Sequence, residues 1–121
     1  MLATKDRCWM AGLLEGEGCF GFYGNRQPVI IVQMTDPDVI QKFANYFNSS
    51  VNLANRKARR EYGHKQTYRT VLNGSKAAGL MMTLYQFMGE RRKAKIREVL
   101  SKWKEVPYSR NPMYRVPWKN S

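Results

Sequence analysis

Acidic residues are scarce in this chain: 9 Asp and Glu stand against 21 Lys and Arg in 121 residues, a formal net charge of +12. Such an excess adds self-repulsion to the folded state, so it points to a polyanionic partner, nucleic acid before an anionic membrane surface. Long hydrophobic runs are missing too. No stretch approaches the ~18 apolar residues that a spanning helix requires, and "MLATKDRC" lacks the basic region followed by an apolar core that marks a signal peptide. His64 stands alone, and Cys8 and Cys19 form no CxxC pair, which excludes a structural zinc site of the usual spacing. Two free thiols in a reducing compartment are the simpler expectation. The protein is expected to be intracellular, in cytoplasm, nucleoid or organelle matrix, and not secreted, with neither a membrane partner nor a small-molecule cofactor.

What is present suffices for one domain. Hydrophobic residues make up 43% of the chain, enough for a single modest core. Residues 5–15, "KDRCWMAGLLE", carry an apolar stripe at helical spacing, with Gly16 and Gly18 placed to stop the helix. "CFGFYG" (19–24) alternates aromatics, "NRQP" supplies a turn, and "VIIVQMT" (29–35) is β-branched, so two strands follow. "TDPDVIQKFANYF" restarts a helix, capped by Thr35 or Asp36 with Pro37 at its first position. A weaker strand, "VNLANRK", a basic loop and a fourth strand (66–72) come next. Ser75 can then cap a helix, Gly89 breaks it, and a last helix carries Ile96, Val99, Leu100 and Trp103 on one side. This order predicts an α+β fold, a four-stranded antiparallel sheet with helices on one face, over residues 1–106. The segment 107–121, with Pro107, Pro112 and Pro117, reads as an irregular tail. The Met-rich run "GLMMTLYQFM" reads as a buried helix face, since Met fills irregular core space.

The stretch "MAGLLEGEG" (10–18) places two glutamates among glycines at a helix end. Gly12 and Gly16 lie four apart, on one helix face, so two such helices can approach until their backbones touch. Carboxylates at a helix C-terminus run against the helix dipole, which favours a compensating cation there. A solvated helix end is the plain alternative on spacing alone.

Residue by residue, the stretch resembles the motif of the LAGLIDADG homing endonucleases in its single-copy form. Met10 stands for the first Leu, Ala11, Gly12 and Leu13 are identical, Leu14 replaces Ile, and Glu15 and Glu17 replace the two aspartates. The resemblance covers roughly residues 5 to 104 and implies an αββαββα core that dimerises through the motif helix, with Ala11, Gly12, Glu15 and Gly16 at the seam. It implies a double-strand cut at a long, roughly palindromic DNA target by metal-dependent phosphodiester hydrolysis, as in intron homing. Mg2+ is the implied cofactor, with Mn2+ or Ca2+ able to substitute in binding. Glu17 is the implied metal ligand, one per protomer, and Glu15 is assigned to helix-end or interface hydrogen bonding. Asp36, at the end of the second strand, and Arg91, at the start of the last helix, are the further catalytic candidates. Asp36 reads equally well as a helix cap, and Arg91 as part of a solvated basic face with Arg92 and Lys93.

The open face of the sheet is the expected DNA surface. Tyr23, Arg26, Gln27, Gln33, Asn55, Lys57, Arg59, Arg60, Lys65 and Arg69 are its candidate contacts, Arg and Gln suiting guanine and adenine edges. Strand alternation sends Ile30, Val32 and Met34 to the core and Gln27, Val29, Ile31 and Gln33 outward. A non-cleaving DNA- or RNA-binding protein of the same fold, a maturase or regulator, is the alternative reading.

Overall fold

The computed structural model describes residues 2–54 and 65–106. The elements run α1 (Thr4–Glu17), β1 (Gly18–Tyr23), β2 (Gln27–Met34), α2 (Pro37–Asn45), β3 (Asn52–Leu53), β4 (Tyr68–Asn73), α3 (Gly74–Leu84), a single 3-10 turn (Tyr85–Phe87) and α4 (Glu90–Lys104). Two antiparallel hairpins join through their second strands, giving the sheet order β1-β2-β4-β3. The expected α+β architecture, helices on one face of a four-stranded antiparallel sheet, is what forms.

Local chemistry accounts for the junctions. Asp36 caps α2, its Oδ1 accepting from the backbone N–H of Asp38 at 3.0 Å and Val39 at 3.3 Å, with Pro37 at the first helical position. The β1–β2 turn places Gly24 and Asn25 at positive φ, the primed geometry that matches the twist of a hairpin. Pro28 sits within β2, where it pairs with Phe22 of β1 but lies beyond the reach of β4, whose pairing starts at Val29. Here the strand begins two residues earlier than its sequence suggests. Helix α3 is entered from Asn73, not capped by Ser75, through Gly74 at φ +64°.

Helix α1 also differs from expectation, because Gly16 stays helical and the helix runs on to Glu17. The break comes at Gly18, whose backbone turns extended while its N–H reaches the Leu14 carbonyl. A Cβ there would lie 2.8 Å from the Leu14 carbonyl oxygen. Only glycine fits so close an approach.

The core lies between sheet and helices. Met10, Ala11 and Leu14 from α1 meet Phe20, Ile30, Val32 and Leu72 from the sheet, with Phe43, Met81, Leu84, Ile96 and Val99 from the other helices. Met88 and Met81 are buried among them, as the Met-rich run requires, although Met82 of the same run is half exposed. Thr70, the buried polar side chain of β4, donates to the Ser50 carbonyl at 2.9 Å and so stays satisfied.

Candidate active site and nucleic-acid interface

Glu17 is the last residue of α1, and its side chain is exposed. Around it the end of α1 is locked to the start of α4. Arg92 donates to the Gly18 carbonyl at 2.6 Å and to the Glu15 carbonyl at 3.1 Å, supplying partners to acceptors at the helix C-terminus. Glu15 answers in the other direction: its Oε1 accepts from the Gly89 N–H at 2.7 Å, at the N-terminus of α4. The two side chains also pair, with Arg92 Nε 3.7 Å from Glu15 Oε2, and the guanidinium lies over the Phe20 ring. Each helix dipole is thus met by a charge of favourable sign. The clamp holds the backbone on both sides of Glu17, at Glu15 and at Gly18.

Sequence reasoning gave Arg92 no role of its own, since three basic residues in one helical turn look alike. The structure separates them. Arg91 is exposed, while Arg92 is turned inward with its side chain 12% accessible. Replacing Arg92 with Ala would leave two carbonyls and a carboxylate without this partner. We expect a loss of roughly 2–3 kcal/mol and, for a domain of this size, a fall in melting temperature of about 10 °C, measured by calorimetry. Arg92→Lys, a single point charge, should recover only part of it.

The remaining candidates divide by position. Arg91, Arg92 and Lys95 of α4 line a groove of about 550 Å³ together with Gly18 and Cys19 of β1. Asp36 has one carboxylate oxygen committed to its cap. Gly12 and Gly16 are exposed, and a Cβ built on either would meet nothing of this chain within 4 Å. Ala11, by contrast, is buried in the chain's own core, and Glu15 is held within the clamp. Among the described residues no group of three or more His, Cys, Asp or Glu side chains could hold a metal ion.

Strand register sorts the open sheet face into rows. Gln33, Arg69 and Asn52 lie side by side, with Arg69 Nε donating to Gln33 Oε1 at 3.2 Å. Cys19, Ile31 and Val71 form the next row, and Gly21, Val29 and Asn73 the one after. Tyr23 and Gln27 make the outermost pair, beside the exposed Arg26. Val29 was expected to be open but is buried, and its strand partner explains why. A Cβ on Gly21 would lie 2.2 Å from the Tyr23 ring, so that ring folds back over the Gly21 position. Desolvation, and then the neighbouring Cys19, hold the Tyr23 phenol above its ordinary pKa, against the opposing pull of Arg69 and Lys95. It is therefore an uncharged hydroxyl at neutral pH. Lys65 is exposed just before β4, whereas Asn55, Lys57, Arg59 and Arg60 fall outside the described residues.

No family model and no curated protein sequence matches this chain. A solved structure does. The chain superposes with a TM-score of 0.60 on the homing endonuclease I-CvuI, determined in complex with the I-CreI target in the presence of magnesium with the DNA not cleaved. The chain shares that protein's α+β fold. The match covers 90% of this chain and 72% of the other at 14% identity, so it speaks for the architecture and leaves residue roles to the geometry above.

Proposed function

We propose that this chain is a divalent-metal-dependent, site-specific DNA endonuclease that acts as a homodimer on a long, roughly palindromic target. The observation that carries the reading is the exposed carboxylate of Glu17, delivered at the end of a helix whose outer face is Gly12 and Gly16, in a chain of charge +12. The DNA-bound homing endonuclease of the same fold supports the substrate class.

A two-fold axis beside the glycine face would bring two Glu17 side chains together and impose matching symmetry on the DNA. One carboxylate per protomer suits Mg2+, which keeps several waters and binds through one or two carboxylates plus substrate phosphates. Bound there, the cation would acidify a water and neutralise charge on the phosphate. Arg91 would hold a phosphate oxygen through paired hydrogen bonds, Asp36 would orient water at the far end of β2, and Glu15 with Arg92 would keep Glu17 aimed. Rows of the open sheet face would lie in the major groove, with Arg26, Lys65 and Arg69 at its charged margins.

A duplex made by joining the sequences that flank the reading frame is the natural substrate to try. With Mg2+ the protein should convert it to two fragments, and with EDTA to none. A protein that shifts this duplex equally in both solutions and never cuts it would instead be a non-cleaving binder.

A further inference from the structure

The row Cys19–Ile31–Val71 is out of place on a polar DNA-reading surface. It crosses three adjacent strands, Cys19 opposite Ile31 and Ile31 opposite Val71, on the face opposite the buried Ile30, Val32 and Leu72, with Cys19 at the sheet edge beside α4. Cys19 and Val71 are exposed, Val71 at 37%, and Ile31 is partly so. On one side it is bordered by Gln33 and Arg69, on the other by Asn73 and the Tyr23 ring. An apolar strip set between hydrogen-bonding rows requires an apolar feature on the ligand at one level only.

We propose that this strip is a recognition site for the 5-methyl group of pyrimidines, in practice thymine, in each half of the target. The inference rests on the DNA-binding part of the proposed function and adds a base identity to it. Strands lie about 4.8 Å apart, so three of them span about 10 Å, which fits a major groove about 12 Å wide. Successive rows on one face are two residues, or roughly 7 Å, apart. That is close to two base-pair steps of about 3.4 Å. Each row thus addresses its own pair of base steps, and the strip meets different bases from Gln33 and Arg69. In the major groove the thymine methyl is the apolar group that a base edge offers. A C·G pair offers no methyl at that level, so it lacks the apolar contact that a T·A pair makes. Ladder position adds an order. The Gln33–Arg69 row is level with Glu17, one residue before Gly18 pairs with Val32, so the methyl-reading step lies just outside it, away from the dimer axis.

The test uses full-length protein and a pool of random-sequence duplexes, selected by binding in the absence of cleavage. Selected sites should carry thymine at a symmetric pair of positions. Replacing those thymines by uracil, which lacks only the methyl, should weaken binding about fourfold per methyl. A double variant, Ile31→Asn with Val71→Asn, whose new side chains carry no methyl group, should bind the thymine and uracil duplexes alike. Selected sites whose binding is indifferent to uracil at every position would overturn the inference and leave the endonuclease reading standing. A pool from which no sequence is enriched would overturn both.

Discussion

Glu17→Gln should bind DNA as tightly as the parent protein in EDTA and cut it at least about 10²–10³-fold more slowly with Mg2+ under single-turnover conditions. The amide keeps the length and shape of the side chain and removes the negative charge, so what is lost is affinity for a hard cation and not packing. Stability should move the other way. Glu17 is exposed at a helix C-terminus, where a negative charge opposes the dipole, and neutralising it should raise the melting temperature slightly. A variant both sturdier and inactive identifies a residue kept for chemistry at some cost to the fold. Cleavage at the parental rate would remove Glu17 from the mechanism.

Much of this organisation was legible from residue order, and the physical reason is locality. The cap at Asp36, the glycine-terminated motif helix and the two hairpins depend on interactions within a few residues, which composition and spacing encode directly. Strand order needed more. That β2 and β4 would lie at the centre follows from how two amphipathic hairpins cover one set of helices, and no local signal carries it. The burial of Val29 was illegible for a similar reason: it depends on pairing with a glycine whose space is taken by an aromatic ring from the same strand. Arg92 is the clearest case. Its partners, Glu15 and the carbonyl of Gly18, lie more than seventy positions away and only the packing of α4 against β1 brings them together. One faint signal existed: Glu15 has no basic residue three or four positions before it on its own helix, which leaves its charge open to a partner from elsewhere in the chain. Charged groups at helix ends that lack a local partner are therefore worth pairing across a sequence before a fold is known.

Gly12 offers the second large effect, because its consequences inside and outside the subunit have opposite signs. Within one chain a methyl at this position meets nothing, and Gly is about 0.8–1 kcal/mol worse than Ala in a helix interior. Gly12→Ala should therefore stabilise an isolated subunit by up to that amount. If two copies of α1 approach along this face, the same methyl falls between them, and a larger side chain forces them apart. Overpacking a close contact costs about 1–3 kcal/mol, and symmetry counts each substitution twice. Gly12→Leu should then weaken dimerisation by a factor between about 30 and 10⁴ and abolish cleavage, because a separated subunit keeps only one Glu17. Sedimentation equilibrium reads the association and calorimetry the fold. A Gly12→Leu protein that folds, sediments as the parent does and still cuts both strands would place the seam elsewhere on the molecule. A glycine that the subunit's own fold disfavours, on an open helix face one turn from Gly16, is explained most directly by a second backbone that has to lie against it.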